Sequence, residues 1–380
     1  MKKILLFTRP LNPPWDEASK NLAYEIATKS QRENLAFDVF SSSNSPEAEK
    51  FKTEKIHQRK IYKKNQFDAV EKFRLITSFL FTKIKADIVH FLFTPRPLTS
   101  FIIKFRLLFS KTKTIQTIAT ISKKHLQNKK RLRKILFADT IVAQSDYTFK
   151  KIKKQGFQNL ELIYPGVDLK KFHPGEKNPA LLKENGIKKN DFVVLFAGEY
   201  TRLKAIDDIM QAFQKIYREK SNQDVKLILA CRIKSPQDKI KKEQIIELSK
   251  KQGFFKQIIF KETVENMADL YRLSDLNIFP VREMTGKFDI PLALVEAMAC
   301  KKPVIVSDIK VLQEFIGDEK TGIITPKANP AKLKENILNV KNNKLLRKKI
   351  SEIGFDFAKE NFDIEKNIKK YHQLYQNFNK

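Results

Sequence analysis

Short apolar runs alternate with amphipathic stretches along the first half of the chain. Runs rich in β-branched and aromatic residues predict strands at 3–8, 36–40, 87–93, 114–119 and 139–143. Hydrophobic spacing near that of an α-helix predicts helices at 18–30, 66–84, 97–109 and 145–155. Buried strands separated by helices are typical of a parallel sheet covered on both faces.

The same alternation resumes after a segment that has no periodicity. Residues 164–179 carry three Pro and two Gly, which predicts a linker. Beyond it we predict strands at 191–197, 225–230, 256–261, 275–279 and 303–306, helices at 204–219, 236–252, 265–273 and 291–300, and a helical region at 330–378. The expected organisation is an N-terminal domain at 1–165, a linker at 166–185, a second domain at 186–355, and a C-terminal helix at 356–380 that packs back toward the N-terminal domain.

Length and cysteine content agree with an α/β protein of two domains. A chain of 380 residues exceeds one ordinary domain. Cys231 and Cys300 lie far apart without a CxxC spacing, which argues against a disulfide framework and a zinc site and fits a reducing cytoplasm. The opening apolar run is interrupted by Arg9 and Pro10, so it predicts a buried first strand rather than a signal peptide. His90, on an apolar strand, is interpreted as a core residue.

The net charge of +31 is unevenly distributed. Residues 101–160 hold 15 basic residues and only two acids, Asp139 and Asp146. A field of that sign attracts phospholipid surfaces, nucleic acids or phosphorylated substrates, although a generally Lys-rich proteome is the alternative explanation. Within this region, segment 97–113 mixes Phe and Leu with Lys and Arg. Such a helix either lies in a membrane interface or packs on its own sheet, and the pattern leaves both open.

One candidate anion site follows the first strand of the second half. In GEYTRLKAIDD (198–208), Gly198 ends a strand, and Arg202 and Lys204 precede a helix. Cations near a helix N-terminus suit the diphosphate of a nucleotide, and solvated surface cations are the alternative. The sequence has no acidic pair placed to hold a metal, so no metal site is predicted.

A second candidate lies in the segment GKFDIPLALVEAMAC (286–300). Asp289 and Pro291 are favourable helix-start residues. Glu296 is an acid within an apolar helix, and burying it is costly unless it has a partner. The hydroxyls of a ribose could supply that partner, and so could backbone amides or a neighbouring Lys.

Several motifs in order resemble the retaining glycosyltransferases of family 4, which have the GT-B fold. They are LFAGEYTRLKAIDDIMQAF, VENMADLYRLSDLNIFP, DIPLALVEAMACKKPVIVSD and EKTGIITP, preceded by ADIVHFLF, TIVAQSDYTFKKIKKQGFQN and IYPGVDLKKFHP. The resemblance covers roughly residues 1–375. It implies two Rossmann-like parallel α/β domains facing each other across a cleft.

The resemblance also implies an activity. A sugar would pass from a nucleotide-diphosphate donor, held by the C-terminal domain, to a glycan or lipid-linked acceptor on the N-terminal domain. The enzyme would be retaining and metal-independent, with the nucleotide sugar as co-substrate and no further cofactor. A role in cell-envelope glycan synthesis is expected, in the cytoplasm and with peripheral contact at the anionic inner face of the membrane.

The resemblance assigns roles to matching positions. Lys204 corresponds to the family's lysine on the donor diphosphate, and Arg202 substitutes for its usual arginine. Glu296 corresponds to the glutamate that holds the donor ribose. The remaining expected donor-binding residues are Gly198, Lys287, Asp289, Ile290 and Pro291. In the first loop, PPWDEASKN (13–21) replaces the family's Gly pair, so Trp15, Asp16 and Glu17 are expected to face the acceptor instead.

The sequence also departs from the family pattern. Glu199 stands where the family has arginine, Phe288 where it has a first glutamate, and Ala119 where it often has histidine. Ile309 and Lys310 replace a Gly pair. These changes keep open a non-catalytic homologue that only binds nucleotide or glycan. A nucleic-acid-binding protein is a further alternative, but the chain lacks a recognisable binding module.

Overall fold

The computed structural model of the protein describes residues 1–11, 18–29, 34–42, 55–63, 68–93, 96–285 and 287–378. Trp15, Asp16 and Glu17, the residues predicted to face the acceptor, lie outside these ranges. The chain divides into two compact units. Unit 1 comprises Met1–Gly166, Phe288–Ile290 and Ile364–Lys380, and unit 2 comprises Val167–Lys287 and Pro291–Asp363.

Unit 1 is built on a parallel sheet in the order β3-β2-β1-β4-β5-β6-β7. Its strands are β1 (Lys2–Phe7), β2 (Leu35–Ser42), β3 (Ile56–Tyr62), β4 (Ile88–Phe91), β5 (Lys113–Ile118), β6 (Thr140–Ala143) and β7 (Leu160–Leu162). The helices in its described residues are α1 (Ala18–Lys29), α2 (Ala69–Phe81), α3 (Pro97–Leu107), α4 (Lys123–Leu126), α5 (Lys129–Ile135), α6 (Asp146–Lys154) and, from the C-terminal segment, α14 (Ile364–Asn377).

Strand β1 shows why the core of unit 1 has two layers. Successive side chains of a strand point to opposite faces of the sheet. Ile4 and Leu6 pack on one face, in a cluster that includes side chains of α14, whereas Leu5 and Phe7 pack on the other. On that second face the Phe7 ring lies 5.0 Å from the Phe79 ring of α2.

A buried polar network fixes α14 on this sheet. Nδ1 of His90 lies 2.6 Å from the hydroxyl of Tyr375, and Nε2 lies 2.7 Å from the hydroxyl of Thr117. Burial lowers the pKa of His90 to about 3, so its imidazole is neutral at physiological pH. His90 is therefore a core residue, as its place on an apolar strand predicts.

Unit 2 contains a second parallel sheet, in the order β10-β9-β8-β11-β12-β13. Its strands are β8 (Phe192–Glu199), β9 (Val225–Arg232), β10 (Ile258–Lys261), β11 (Leu276–Phe279), β12 (Val304–Ser307) and β13 (Ile323–Thr325). Its α-helices are α7 (Pro179–Glu184), α8 (Ile206–Tyr217), α9 (Pro236–Lys251), α10 (Met267–Leu273), α11 (Leu292–Ala299), α12 (Pro330–Asn342) and α13 (Lys344–Asn361).

The structure adds elements that the sequence pattern did not predict. Strands β3, β7 and β13 and the short helices α4, α5 and α7 were not expected. The helical region predicted at 330–378 consists of α12, α13 and α14. No helix in the part of the chain that the structure describes is both long enough and apolar enough to cross a bilayer.

Candidate functional site

The candidate site lies at the carboxyl edge of the unit 2 sheet. From β8, the sheet continues through β9 and β10 on one side and through β11, β12 and β13 on the other. The order of the strands therefore reverses between β8 and β11, and such a switch point is where open α/β sheets bind ligands. Residues from the ends of β8 and β9 and from the loops after them meet there with the loop after β11.

Four cations converge on the carboxylate of Glu199, which is buried at the end of β8. Nζ of Lys287 lies 2.8 Å from Oε1 of Glu199. Nη1 of Arg202 lies 3.7 Å from Oε2, while Nζ of Lys234 and Nη2 of Arg232 lie 3.8 Å and 4.0 Å from Oε1. Four positive charges around one negative charge leave a surplus of three. We call these five residues the Glu199 cluster.

The cluster holds Glu199 in its ionised form. Burial raises the pKa of Glu199, but the hydrogen bond and charge of Lys287 and the charges of Lys234 and Arg202 outweigh burial and leave the pKa below its usual value. Burial lowers the pKa of Lys287, and the hydrogen bond to Glu199 opposes that change. The carboxylate therefore reduces the mutual repulsion of the cations at neutral pH.

The loop after β8 has a strained backbone. Leu203 and Lys204 both have positive φ angles, of 66° and 56°, which residues with a Cβ rarely adopt. The backbone and hydroxyl of Thr201 donate to Asp238, and the carbonyl of Leu203 accepts from the amide of Arg282 at 2.9 Å. Strain that is maintained by surrounding contacts is concentrated at ligand sites, so it supports a functional role for this loop.

Lys204 extends from this loop into solvent. Its Nζ lies 3.1 Å from Oε1 of Glu283, and both side chains are exposed. A hydrogen bond from Thr285, followed by the contact with Lys204, lowers the pKa of Glu283. An exposed ion pair contributes little free energy, so Lys204 can exchange Glu283 for a phosphate oxygen at low cost.

Glu296 has a protein partner inside unit 2. It lies on α11, which begins directly after Pro291. The hydroxyl of Tyr271 donates to Oε2 of Glu296 at 2.9 Å. Burial raises the pKa of Glu296, while the hydrogen bond from Tyr271 and the charge of Lys171 act in the opposite direction. Tyr271 thus supplies the stabilising contact that an acid in an apolar helix requires.

Asp289 and Ile290 belong to unit 1 rather than to the unit that carries the Glu199 cluster. Oδ2 of Asp289 accepts hydrogen bonds from the hydroxyls of Ser145, at 2.6 Å, and Thr148, at 2.5 Å. Ser145 is the N-cap residue of α6, so this carboxylate lies at the positive end of a helix. Burial raises the pKa of Asp289, and these hydrogen bonds together with one from Thr120 oppose the rise.

The structure brings together four of the predicted donor-site residues. Arg202 and Lys287 meet at Glu199, and Gly198 and Lys204 lie in the adjoining strand and loop. A Cβ at position 198 would lie 2.6 Å from the ring of Phe196, so glycine is needed there for close packing. Across the described ranges, no group of three His, Cys, Asp or Glu residues is arranged to hold a metal ion.

Sequence reasoning did not identify Arg232, Lys234, Tyr271 or Glu283. The first two follow the apolar run of β9, and the only available signal was that β9 would neighbour β8 in a parallel sheet. Glu199 pairs with Arg232 in the register of these strands. Tyr271 and Glu283 gave no separate sequence signal, because their partners are 25 and 79 residues away.

Comparison with known proteins places these features in a family context. Residues 177–357 match the family model described as Glycosyl transferases group 1. D-inositol 3-phosphate glycosyltransferase 1 of Catenulispora acidiphila is 28% identical over 184 residues, which are 47% of this chain and 43% of that protein. N-acetyl-alpha-D-glucosaminyl L-malate synthase of Bacillus anthracis is 24% identical over 218 residues, which are 57% of this chain and 54% of that protein. The matched segments thus span about half the length of these curated relatives.

A solved structure matches almost the whole chain. Anabaena HepE, in complex with UDP-glucose, superimposes with a TM-score of 0.75 over 99% of this chain and 100% of that chain, at 17% sequence identity. Similarity at that identity concerns the fold, and it agrees with the two parallel sheets and their interleaved helices. The chain therefore has the two-domain α/β GT-B fold that its sequence predicts, with a region at residues 177–357 that matches the glycosyl transferases group 1 family.

Proposed function

We propose that the protein is a retaining glycosyltransferase of family 4. It transfers a sugar from a nucleotide-diphosphate donor to a glycan or lipid-linked acceptor in the synthesis of cell-envelope glycans. Unit 2 binds the donor and unit 1 binds the acceptor. The family match of residues 177–357 and the UDP-glucose bound by Anabaena HepE support this proposal.

The surplus positive charge of the Glu199 cluster is the observation that carries the proposal. It lies beside the sheet switch point, where a nucleoside diphosphate fits both the charge and the topology. As the glycosidic bond breaks, negative charge grows on the departing diphosphate. Cations that are already in place stabilise this charge without reorganising during the reaction, which lowers the barrier.

The proposed reaction proceeds with retention of configuration. The acceptor hydroxyl attacks the anomeric carbon from the face that the diphosphate leaves, so one carbon–oxygen bond forms as the other breaks. The hydroxyl proton passes to a phosphate oxygen of the leaving group. This route needs no nucleophile from the protein, and Lys204 and Arg202 are the residues proposed to neutralise the leaving group.

We assign binding of the donor's nucleoside to Glu296. Tyr271 orients the carboxylate through Oε2, and Oε1 is the proposed acceptor for the ribose hydroxyls. Because this contact is the same in the ground state and the transition state, it contributes to donor affinity rather than to turnover. Asp289, Ile290 and Pro291 stay proposed donor-side residues, although the hydroxyls of Ser145 and Thr148 already occupy one oxygen of Asp289.

Donor titration into variants tests this assignment. A thermal-shift screen of UDP-, GDP- and ADP-sugars selects the nucleotide, and calorimetry then measures its affinity. We expect Lys204→Ala to lower turnover about a hundredfold with a smaller change in affinity, and Glu296→Gln mainly to weaken donor binding. The expected titration is unchanged by a metal chelator, because cations of the chain neutralise the diphosphate.

Lys241→Ala is the matched control for these variants, since Lys241 is a lysine of unit 2 that pairs with Asp207. It should bind and turn over the donor like the parent. If Lys204→Ala and Glu296→Gln both bind the nucleoside diphosphate as the parent does, the assigned donor site is wrong.

A non-catalytic GT-B homologue is the second candidate. Glu199 places a carboxylate where the family has a cation, and Phe288 cannot act as the family's first glutamate. Such a protein would bind the donor through the Glu199 cluster but release no nucleoside diphosphate. Saturating donor with a panel of glycan and lipid acceptors separates the two candidates, because only the enzyme forms nucleoside diphosphate.

We also place the protein in the cytoplasm, in peripheral and reversible contact with the anionic inner face of the membrane. The balance of +13 over residues 101–160 supports this location. Basic residues near an anionic surface each contribute about 1 kcal/mol, and salt screens that attraction.

A further inference from the structure

Helix α3 presents its apolar side to solvent. Leu98, Phe101, Phe105, Leu108 and Phe109, on this helix and the turn after it, are exposed by between 56% and 78%. They are three or four residues apart, or adjacent at the end, so they form one stripe along the helix. A surface helix normally turns such a stripe toward the core, so the outward orientation of this one requires an explanation.

Helix α2 also exposes apolar side chains, and its C-terminal end lies beside α3. Val70, Phe73 and Phe81 are also exposed, Phe81 by 86%. The guanidinium of Arg106 on α3 donates to the carbonyls of Leu80 and Thr82, which flank Phe81. The ends of the two helices are therefore adjacent. We name these eight side chains the apolar face; they are Val70, Phe73, Phe81, Leu98, Phe101, Phe105, Leu108 and Phe109.

Cations, and no acids, accompany the part of the apolar face that α3 supplies. Residues 97–138 contain eleven Lys and Arg and no Asp or Glu. Nζ of Lys104 donates to the carbonyl of Arg133 at 2.6 Å, which places α5 beside α3. Helix α5 exposes five basic side chains, those of Lys129, Lys130, Arg131, Arg133 and Lys134. An apolar stripe beside a surface of one positive sign has the composition of helices that lie in a membrane interface.

We propose that the apolar face enters the headgroup layer of an anionic bilayer, with α3 lying in the plane of the membrane. Helix α3 has 11 residues, or about 16 Å, which is too short to cross a bilayer but long enough to lie in its surface. The cations of α5 and of the segment after α3 contact lipid phosphates. A second copy of the chain is unsuited to cover the apolar face, because the two basic surfaces would repel each other. A nucleic acid would supply phosphates for the cations but no apolar layer to bury the Phe and Leu side chains.

This inference deepens the proposed peripheral contact by naming its surface and adding a component that salt does not screen. It rests on the proposed function only in explaining why the protein would bind a membrane, since membrane binding itself requires no sugar transfer. Charge alone would release the protein at high salt, whereas buried Phe and Leu side chains keep part of it bound.

Vesicle sedimentation of the full chain tests the proposal. The vesicles are phosphatidylcholine alone, or phosphatidylcholine with phosphatidylglycerol, each at low and high salt. We expect the parent to bind the anionic vesicles and to remain partly bound at high salt. The double variant Phe101→Ser and Phe105→Ser should bind about tenfold more weakly at high salt. Lys130→Glu with Arg131→Glu should instead lose mainly the binding at low salt.

Leu345→Ser is the matched control, because Leu345 is also an exposed apolar residue but lies in unit 2, with 83% of its surface exposed. It should bind vesicles like the parent. The proposal is overturned if the Phe variant binds as tightly as the parent, or if no variant or vesicle composition changes sedimentation. It is also overturned if the parent is a dimer in solution that the Phe variant converts to a monomer, because a second copy then covers the face. Donor titration uses no vesicles, so failure of docking and failure of the proposed function are separate results.

Discussion

At the level of single residues, the carboxylate of Glu199 holds together the four cations of the Glu199 cluster. Removing its carboxylate would leave Lys287, Arg202, Lys234 and Arg232 facing one another. Lys287 is the most buried of the four, and a partly buried ionised group that loses its counter-charge is costly, because water replaces the lost attraction only in part. Glu199 thus makes a dense group of cations compatible with the folded state.

We therefore expect Glu199→Gln to lower the free energy of unfolding by about 2 kcal/mol at neutral pH. The pKa of Glu199 is lowered in the folded protein, so its contribution is present above the unfolded pKa and disappears as the pH falls through the folded pKa. Urea unfolding of parent and variant should therefore converge in acid. Glu335→Gln, on the exposed surface of α12, should match the parent throughout; a constant gap down to strongly acidic pH would contradict the assignment.

His90 should make unit 1 sensitive to mild acid. Its pKa is lowered by burial to about 3, so below the unfolded value near 6.5 the unfolded chain binds a proton that the folded chain does not. Stability should fall by up to about 1.4 kcal/mol for each pH unit below that value. His90→Gln should remove this slope in urea unfolding between about pH 7 and about pH 5, whereas His125→Gln should retain it.

At the level of elements, the loop after β8 has a strained backbone beside the side chains proposed to bind the donor. Lys204 occupies the left-handed region with φ 56°, where a residue with a Cβ costs about 1 kcal/mol relative to glycine. Lys204→Gly and Lys204→Ala both remove the amine, but only glycine relieves the strain. We expect the Gly variant to be more stable than the Ala variant by about 1 kcal/mol in thermal unfolding, with equal loss of turnover. Equal stability would mean that the loop is not strained.

The sequence identified the elements whose pattern is set by burial alone. Strands such as β1, with ILLF, and β8, with FVVLFA, have unbroken apolar runs, so their existence followed from that pattern. Strand β3 was not predicted because IHQRKIY places polar residues on a partly exposed edge of the sheet. Strands β7 and β13 were not predicted because they have only three residues each. The helix at 97–109 was predicted, but which of its faces would meet the sheet depends on tertiary packing, which a single sequence does not report.

The candidate site was predictable where its residues share one loop. Gly198, Arg202 and Lys204 lie close in space because they are close in the sequence. The contact of Lys287 with Glu199 joins residues 88 positions apart, so it depends on the neighbouring places of β8 and β11 in the sheet. The burial of Asp289 in unit 1 likewise depends on the path of the chain, which no local pattern encodes.

At the level of the whole molecule, unit 1 is assembled from three separate stretches of chain. The last of them supplies Ile364, Ile368, Tyr371 and Tyr375 to its core. Each buried side chain of this size contributes several kcal/mol, and together they approach the entire stability of a typical domain. Unit 2 needs none of these residues for its own sheet.

A chain that ends at residue 363 should therefore lose the cooperative unfolding of unit 1 and keep that of unit 2. Calorimetry should show one transition fewer, and limited proteolysis should cleave within residues 1–166 first. A chain ending at residue 378 is the control and should unfold like the parent. A truncated protein that retained both transitions would show that α14 is dispensable.

The position of α14 also has a consequence for synthesis on the ribosome. Residues 1–166 emerge first, but one face of their sheet is covered only in part, by α1, until residues 364–377 have been made. At a rate of about 5–20 residues per second, the intervening chain takes roughly 10 to 40 s to appear. During that interval the part of this face that α14 will cover is open to chaperones or to neighbouring nascent chains. The half of the protein that is made first is thus the half that finishes folding last.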